Sequence, residues 1–130
     1  MKCLVVDESP TVRRIFRNAL HAIGCPDVLE SADGRQALER CDASVGLVVA
    51  DWDAPGIGGL ELLKRLRVNA ETATVKVLLI STRNRREDVL QAVEAGVDGY
   101  LLKPFVGETL KLQLESLMTV ATDDPSQLAA

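Results

Sequence analysis

Acidic, hydroxyl and basic side chains stand at the ends of the short apolar runs of this sequence. Asp7 and Glu8 follow the first run, Asp51 and Ser81 come at the ends of the third and fourth, and Lys103 ends the fifth. Three carboxylates close together repel one another unless a cation lies between them, and oxygen ligands without His or Cys favour a hard divalent metal. Magnesium is the expected ion, because it takes one or two protein carboxylates and leaves room for phosphate oxygens.

These groups are suited to phosphoryl transfer. A carboxylate can attack phosphorus and form an aspartyl phosphate, while a metal ion, an ammonium and a hydroxyl donor neutralise the added charge. Asp51, Lys103 and Ser81 supply the nucleophile, the ammonium and the hydroxyl. A solitary Asp after a strand is usually a helix cap or a solvated turn residue. The prediction therefore rests on the joint placement of these residues and not on any one of them.

The apolar runs alternate with segments of helical period along the chain, which predicts an α/β fold with a doubly wound parallel sheet and helices on both faces. Strands are predicted at residues 3–6, 27–30, 46–50, 75–80 and 99–102. Strands of a parallel sheet all point the same way, so the residues that follow them gather along one edge, where ligands usually bind. This geometry predicts that the five polar side chains converge.

Five helices are expected between and after these strands. Ser9 is a candidate cap for the first, with Pro10 in its first turn, and Asp33 for the second. The third should run over residues 59–68, and the fourth should begin after Asn84, where Glu87 completes a box-like cap. The predicted core-facing residues are Val12, Ile15, Phe16, Ala19, Leu20 and Ile23 in the first helix, Ala37, Leu38 and Cys41 in the second, Leu60, Leu63 and Leu66 in the third, Val89, Ala92 and Val93 in the fourth, and Leu110, Leu114, Leu117, Met118 and Ala121 in the fifth.

Length and composition narrow the possible functions. The 130 residues suit one domain, predicted at 1–121, followed by a frayed tail at 122–130. A net charge of −4 disfavours direct binding of nucleic acid. The first apolar run is too short for a signal peptide or a membrane span, which favours a cytoplasmic location without membrane contact. The three cysteines fit neither a disulfide framework nor a zinc site.

Four segments together resemble the response-regulator receiver family of two-component signalling, whose domains are called CheY-like. They are LVVDES at 4–9, DWDAPG at 51–56, ST at 81–82 and GYLLKPF at 99–105. The resemblance covers residues 2–121 and implies a flavodoxin-like strand order, 2-1-3-4-5. It also implies a phosphoprotein that catalyses its own phosphorylation and dephosphorylation as a signalling switch, and not a conventional enzyme.

The resemblance also assigns roles to single residues. Asp51 would take the phosphoryl group from a histidine kinase or a phosphotransfer protein, and Lys103 would contact the phosphoryl oxygens. Glu8, Asp51 and the backbone carbonyl of Asp53 would bind Mg²⁺, with Asp7 acting through water. Ser81 and Tyr100 would form the switch pair, and the Lys103–Pro104 peptide bond would be cis. No cofactor other than the metal is implied.

Two further expectations concern output and timing. A downstream protein target would bind the surface of the fourth helix, fifth strand and fifth helix, and Leu112 is a candidate contact there. The active form would be a monomer or a phosphorylation-dependent homodimer. Asp53 and Arg83 are predicted to pair across the mouth of the site. With Thr82, they would restrict the water that attacks the phosphoryl group.

Two alternative functions remain open at this stage. One is a small Asp-dependent phosphatase, because Asp51 and Asp53 resemble the paired aspartates of haloacid-dehalogenase enzymes. That pair usually follows the first strand, however, and here it follows the third. The other is a receiver-like binding module that works without phosphorylation. Such a module would commonly have lost Asp51, Lys103 or one of the acidic pair, and all of these are present.

Overall fold

The computed structural model describes residues 1–122, in which five strands alternate with five helices. The strands are β1 (Lys2–Val6), β2 (Asp27–Ser31), β3 (Val45–Asp51), β4 (Lys76–Ser81) and β5 (Gly99–Leu102). The helices are α1 (Pro10–Ala22), α2 (Gly34–Arg40), α3 (Gly59–Val68), α4 (Arg86–Glu94) and α5 (Gly107–Thr122). The predicted strand bounds therefore agree to within one residue. Of the predicted tail, Thr122 ends α5 and the rest lies outside the described residues.

All five strands are parallel and lie in the order β2-β1-β3-β4-β5, which confirms the predicted flavodoxin-like topology. The register aligns the carboxyl ends of the strands. Val6 pairs with Ala50, Asp51 with Ile80, and Ser81 with Leu102. Residues that end or follow these strands are thus brought to one edge of the sheet.

Side chains of each central strand alternate between two hydrophobic clusters, one on each face of the sheet. In β1, Leu4 and Val6 pack into the cluster under α2, α3 and α4, whereas Cys3 and Val5 pack into the cluster under α1 and α5. Burial of each large apolar side chain contributes about 1.5–3 kcal/mol. The sheet is therefore covered by helices on both faces and forms a rigid support for the edge.

The first two helices begin as predicted. The Ser9 hydroxyl accepts a hydrogen bond from the Val12 amide at 3.2 Å, and Pro10 is the first residue of α1. The Asp33 carboxylate accepts from the Gln36 amide at 2.7 Å. Each cap satisfies an amide at a helix start that has no partner within the helix.

The prediction for the start of α4 was wrong. The helix begins at Arg86 with Arg85 as its cap residue, and no side chain makes a capping hydrogen bond. Asn84 lies one residue too early to cap it. Val93 was also wrongly predicted to face the core, since 58% of it is exposed whereas Ala92 is buried. The helix lies with Ala92 toward the sheet, and Val93, the next residue and about 100° further around the helix, is therefore exposed.

Smaller differences occur in the other helices. Ile15, predicted to face the core, is 42% exposed, and Leu62 of α3 is buried although the predicted stripe omitted it. Leu110, Leu114 and Leu117 are buried as predicted, and the side chain of Ala121 lies outside the described residues. No helix within residues 1–122 is long and apolar enough to cross a membrane.

Candidate functional site

Backbone hydrogen bonds hold the loops at the carboxyl edge of the sheet against the neighbouring strands. The amide of Asp7 donates to Ser31 at 3.1 Å, and the amide of Lys103 donates to Ser81 at 2.8 Å. The amide of Trp52 donates to Ile80 at 2.8 Å. The strand pairing thus continues to the residues that carry the candidate side chains, and their positions follow from the sheet.

The Lys103 ammonium lies between two carboxylates. Its Nζ is 3.0 Å from Asp7 Oδ2 and 3.3 Å from Asp51 Oδ2. Burial acts to lower the pKa of Lys103, but the hydrogen bond and charge of Asp7, together with those of Asp51, outweigh it and the pKa lies above its ordinary value. The group is therefore a fixed positive charge at neutral pH. It offsets the repulsion between the two acids.

The Asp51 carboxylate is held by a hydrogen bond but stays partly exposed to solvent. Its Oδ1 accepts a hydrogen bond from the Asp53 amide at 3.2 Å while Oδ2 faces Lys103. Its side chain is 15% exposed, compared with 3% for Asp7. A Cβ on Gly59 would lie 2.6 Å from the carbonyl oxygen of Asp51, so only glycine lets α3 begin this close to the end of β3. Asp51 is thus the more accessible of the two carboxylates beside the ammonium.

Arg13, which the sequence analysis did not select, organises the acidic loop after β1. Its Nη1 donates to the backbone carbonyls of Asp7 at 2.7 Å and Glu8 at 3.2 Å, and its Nε donates to Glu30 at 3.1 Å. The Asp7 carboxylate also accepts from the Ser9 amide at 2.8 Å. An arginine one turn into the helix that follows the acidic pair was the available signal.

The three predicted acids do not form one cluster. Asp7 and Asp51 share the Lys103 ammonium, but the Glu8 side chain is exposed, and residues 1–122 contain no group of three or more His, Cys, Asp or Glu side chains arranged to hold a metal ion. Glu8 turns outward because Asp7, Ser9 and Arg13 use the inner side of the loop. The remaining pair still fits magnesium, since both acids are hard oxygen ligands and this ion needs only one or two protein carboxylates.

The predicted switch pair is linked through the backbone of a third residue. Ser81 Oγ accepts a hydrogen bond from the Arg83 amide at 2.8 Å, and the Tyr100 hydroxyl donates to the Arg83 carbonyl, also at 2.8 Å. Ser81 itself is fully buried. The two residues therefore contact opposite ends of one backbone unit, and a shift of Arg83 affects both contacts.

The predicted ion pair at the mouth of the site is present. Arg83 Nη2 lies 2.9 Å from Asp53 Oδ1, and this hydrogen bond raises the pKa of Arg83. The guanidinium also lies over the ring of Trp52, 5.0 Å from its centroid. Thr82 is exposed beside this pair. The Lys103–Pro104 peptide bond is cis, in agreement with the expectation from the resemblance.

Comparisons with known proteins agree with this arrangement. Residues 3–115 match the model of the response regulator receiver domain. The chain is 38% identical to chemotaxis protein CheY1 of Helicobacter pylori over 120 residues, which cover 91% of this chain and 97% of that one. It is 40% identical to chemotaxis protein CheY-3 of Vibrio cholerae over 118 residues, covering 90% and 91%. The solved structure of CheY4 of Vibrio cholerae is similar, with a TM-score of 0.79, 28% identity and coverage of 89% and 97%.

Proposed function

The chain belongs to the response regulator receiver domain family, and on that premise we propose that it is a cytoplasmic signalling switch that accepts a phosphoryl group on Asp51. The donor is a histidine kinase or a phosphotransfer protein. The observation that carries this proposal is the Lys103 ammonium, which lies within hydrogen-bonding distance of both Asp7 and Asp51. A nucleophile that gains a phosphoryl group needs such a fixed positive charge beside it.

The positions of Asp51 and Lys103 support direct transfer of the phosphoryl group to a carboxylate oxygen. A carboxylate oxygen of Asp51 attacks the phosphorus, and the bond between phosphorus and the donor histidine nitrogen breaks. Asp51 becomes the mixed anhydride, while Lys103 stabilises the negative charge on the transferred oxygens. Loss of phosphate reverses the state when water attacks the phosphorus from the side that Thr82 and Arg83 flank.

Magnesium belongs to the same proposal. Asp51 and the backbone carbonyl of Asp53 would hold it, with Asp7 acting through water, and Glu8 would join them after its exposed side chain turns inward. When bound, the ion would neutralise charge on the phosphoryl oxygens, because a hard dication binds phosphate and carboxylate oxygens together. Arg13 keeps the backbone of Asp7 and Glu8 in place for this role.

Signal transmission would begin at Ser81. In the structure its oxygen accepts from the Arg83 amide, so the hydroxyl hydrogen can be donated to a phosphoryl oxygen on Asp51. Movement of Ser81 toward that oxygen would pull on Arg83, whose carbonyl is the partner of the Tyr100 hydroxyl. Tyr100 would then change its rotamer. These steps link an event at Asp51 to the side of β5 that packs toward α4.

The surface formed by α4, β5 and α5 is the proposed output surface. It carries exposed apolar side chains from all three elements and the loop between β5 and α5. They are Leu90 (45% exposed), Val93 (58%), Leu102 (44%), Val106 (67%) and Leu112 (60%). Single exposed apolar residues are ordinary, but five on adjoining elements favour a site for a protein partner. The target is therefore expected to bind here.

Incubation with acetyl phosphate and Mg²⁺, followed by intact mass measurement, tests the proposal. The natural chain should gain one phosphoryl group and Asp51→Asn none. Asp27→Asn is the matched control, because Asp27 is exposed at the amino edge of the sheet, at the opposite end of the strands from Asp51. A chain that never gains phosphate is a binding module instead, and phosphate persisting on Asp51→Asn would refute the assignment of the acceptor.

A further inference from the structure

Two of the three cysteines lie in contact inside the protein, although 21 residues separate them in the sequence. Cys3 Sγ and Cys25 Sγ are 2.7 Å apart, and the two residues are 0% and 1% exposed. A disulfide bond is about 2.0 Å long. The two thiols therefore already lie close to bonding distance. The number and spacing of the cysteines in the sequence did not indicate this contact.

Cys3 and Cys25 lie on the same face of the sheet, and the third cysteine of the chain is out of reach of both. Cys3 lies in the inner strand β1, and Cys25 lies in the loop between α1 and β2, at the amino edge of the sheet. Both belong to the cluster under α1 and α5. Cys41 packs against the cluster on the other face of the sheet and is separated from them by the strands. Within the chain, Cys3 and Cys25 can thus pair only with each other.

We propose that Cys3 and Cys25 form a reversible disulfide when the protein meets a peroxide. Both thiols are buried in the closed fold, so the reaction begins when the loop between α1 and β2 opens locally and exposes Cys25, while Cys3 stays held in the inner strand β1. The Cys25 thiolate attacks one peroxide oxygen, the oxygen–oxygen bond breaks, and a sulfenic acid and water result. Cys3 then attacks the sulfenic sulfur, and the second oxygen leaves as water. The two sulfurs together lose two electrons and two protons, and the peroxide gains them.

The chemistry of Cys3 sets the pace of the reaction. Burial, followed by the hydrogen bond with Cys25, raises the pKa of Cys3 above its ordinary value. A thiol attacks as its thiolate, so the second step is slow at neutral pH. The expected behaviour is a gradual response to sustained oxidant and not an immediate one. Such transient disulfides are compatible with a reducing compartment, in which stable structural disulfides are rare.

The pair lies at the amino edge of the sheet, whereas Asp51 lies at the carboxyl edge. Cys3 is near the beginning of β1, and Asp7 follows its end. The cross-link should therefore stabilise the fold without changing phosphoryl uptake. This inference does not depend on the proposed phosphorylation, and the two can fail separately.

The test exposes the folded chain to mild hydrogen peroxide and counts free thiols before and after the exposure, each time in denatured samples. The count should fall from three to one per chain, and tryptic peptides 3–13 and 18–35 should appear joined by a disulfide. The unfolding midpoint should rise by roughly 5–15 °C and return to its first value with dithiothreitol. Cys41→Ala is the matched control and should form the same link.

Two variants and the natural chain itself can overturn the proposal. Cys3→Ala and Cys25→Ala should each form no intrachain link, and either one suffices if the other folds poorly. Three intact thiols in the natural chain after exposure to peroxide would refute the proposal. So would a disulfide that consistently includes Cys41, or over-oxidation of Cys25 to sulfinic acid without any joined peptide.

Discussion

The hydroxyl of Tyr100 donates a hydrogen bond to the backbone carbonyl of Arg83 at 2.8 Å, on the peptide chain that leads from Ser81 to α4. The amide of the same Arg83 donates to Ser81. A half-buried aromatic side chain of the edge strand β5 is thereby joined to a buried hydroxyl beside the proposed phosphorylation site. This connection gives the proposed switch a physical route.

Replacing Tyr100 with Phe should separate phosphorylation from output. The substitution removes the hydrogen bond to Arg83 but leaves Asp51 and Lys103 untouched. Phosphoryl uptake should change by less than about twofold, because the removed bond is remote from the reacting atoms and contributes only about 1 kcal/mol. Amide chemical-shift changes on adding beryllofluoride and Mg²⁺ should persist around Asp51 but weaken in α4 and α5. A shift pattern identical to that of the natural chain would show that the hydroxyl is not part of the route.

Arg83→Ala and Thr82→Ala should speed the loss of phosphate from Asp51. Arg83 holds Asp53 at 2.9 Å and covers Trp52, so its removal opens the approach of water to the site. The effect is steric and kinetic, because both side chains flank the path of the attacking water, so each single change should increase the rate by up to about fivefold, and the double variant by more. Arg86→Ala, a neighbouring exposed arginine, is the control. Equal decay in every variant would exclude both residues as kinetic modulators.

Arg13→Ala should weaken magnesium binding. Its guanidinium holds the carbonyls of Asp7 and Glu8, and without it the acidic loop loses two charge-assisted hydrogen bonds. The expected loss of affinity is roughly tenfold. Emission of Trp52, the chain's single tryptophan, provides the titration signal. Arg14→Ala, on the exposed side of the same helix, should bind as the natural chain does; equal affinity of Arg13→Ala would contradict the positioning role.

Lys103→Met should leave magnesium affinity unchanged or raise it, and it should strongly reduce phosphoryl uptake by Asp51. Met keeps a side chain of similar length without the charge, so the carboxylates of Asp7 and Asp51 lose their shared ammonium. Their repulsion then favours a cation, and magnesium affinity should be unchanged or higher. Phosphoryl uptake should fall by about tenfold or more, because a charged stabiliser of the transferred group is gone. Magnesium titration and phosphoryl uptake from acetyl phosphate measure the two effects separately. Full uptake by the variant would show that Lys103 is not needed to stabilise the transferred group.

Arg67, which lies away from Asp51 and Lys103, should contribute to the free energy of unfolding. Arg67 donates to the backbone carbonyls of Ala73, Val75 and Gly96 and pairs with Asp98 at 2.8 Å, which ties the end of α3 to the segment before β4 and to the turn before β5. Arg67→Ala should lower the free energy of unfolding by about 2–4 kcal/mol in urea titrations.

Arg65→Ala provides the comparison for that measurement, because Arg65 makes only an exposed pair with Glu61 on the same helix. Its removal should reduce stability by about 0–0.5 kcal/mol. Similar losses in the two variants would mean that the Arg67 contacts are compensated elsewhere.

The strands and the core of the site could be predicted because their signals are local. Short apolar runs mark strands, and parallel strands bring the ends of β1, β3, β4 and β5 to one edge, so Asp7, Asp51 and Lys103 meet as expected. The Asp53–Arg83 pair followed from the same reasoning, because β3 and β4 are neighbours. The roles of these residues in phosphorylation stay predictions.

The errors and omissions arise where the outcome depends on packing between elements. Val93 has the spacing of a core residue, but the orientation of α4 on the sheet exposes it. Glu8 turns outward because its neighbours Asp7 and Arg13 occupy the inner side of the loop. The Cys3–Cys25 contact depends on how the loop after α1 returns to the sheet. Sequence periodicity carries no information on such arrangements.

The parallel strand direction also has a practical use for experiments on this protein. Met1 precedes β1 and lies at the amino edge of the sheet, whereas Asp51 and Lys103 lie at the carboxyl edge. An affinity tag, a dye or a surface tether joined ahead of Met1 would project away from the proposed phosphorylation site. Immobilised protein should thus remain open to kinases, phosphodonors and binding partners, which makes sensor-chip kinetics on single-orientation samples feasible.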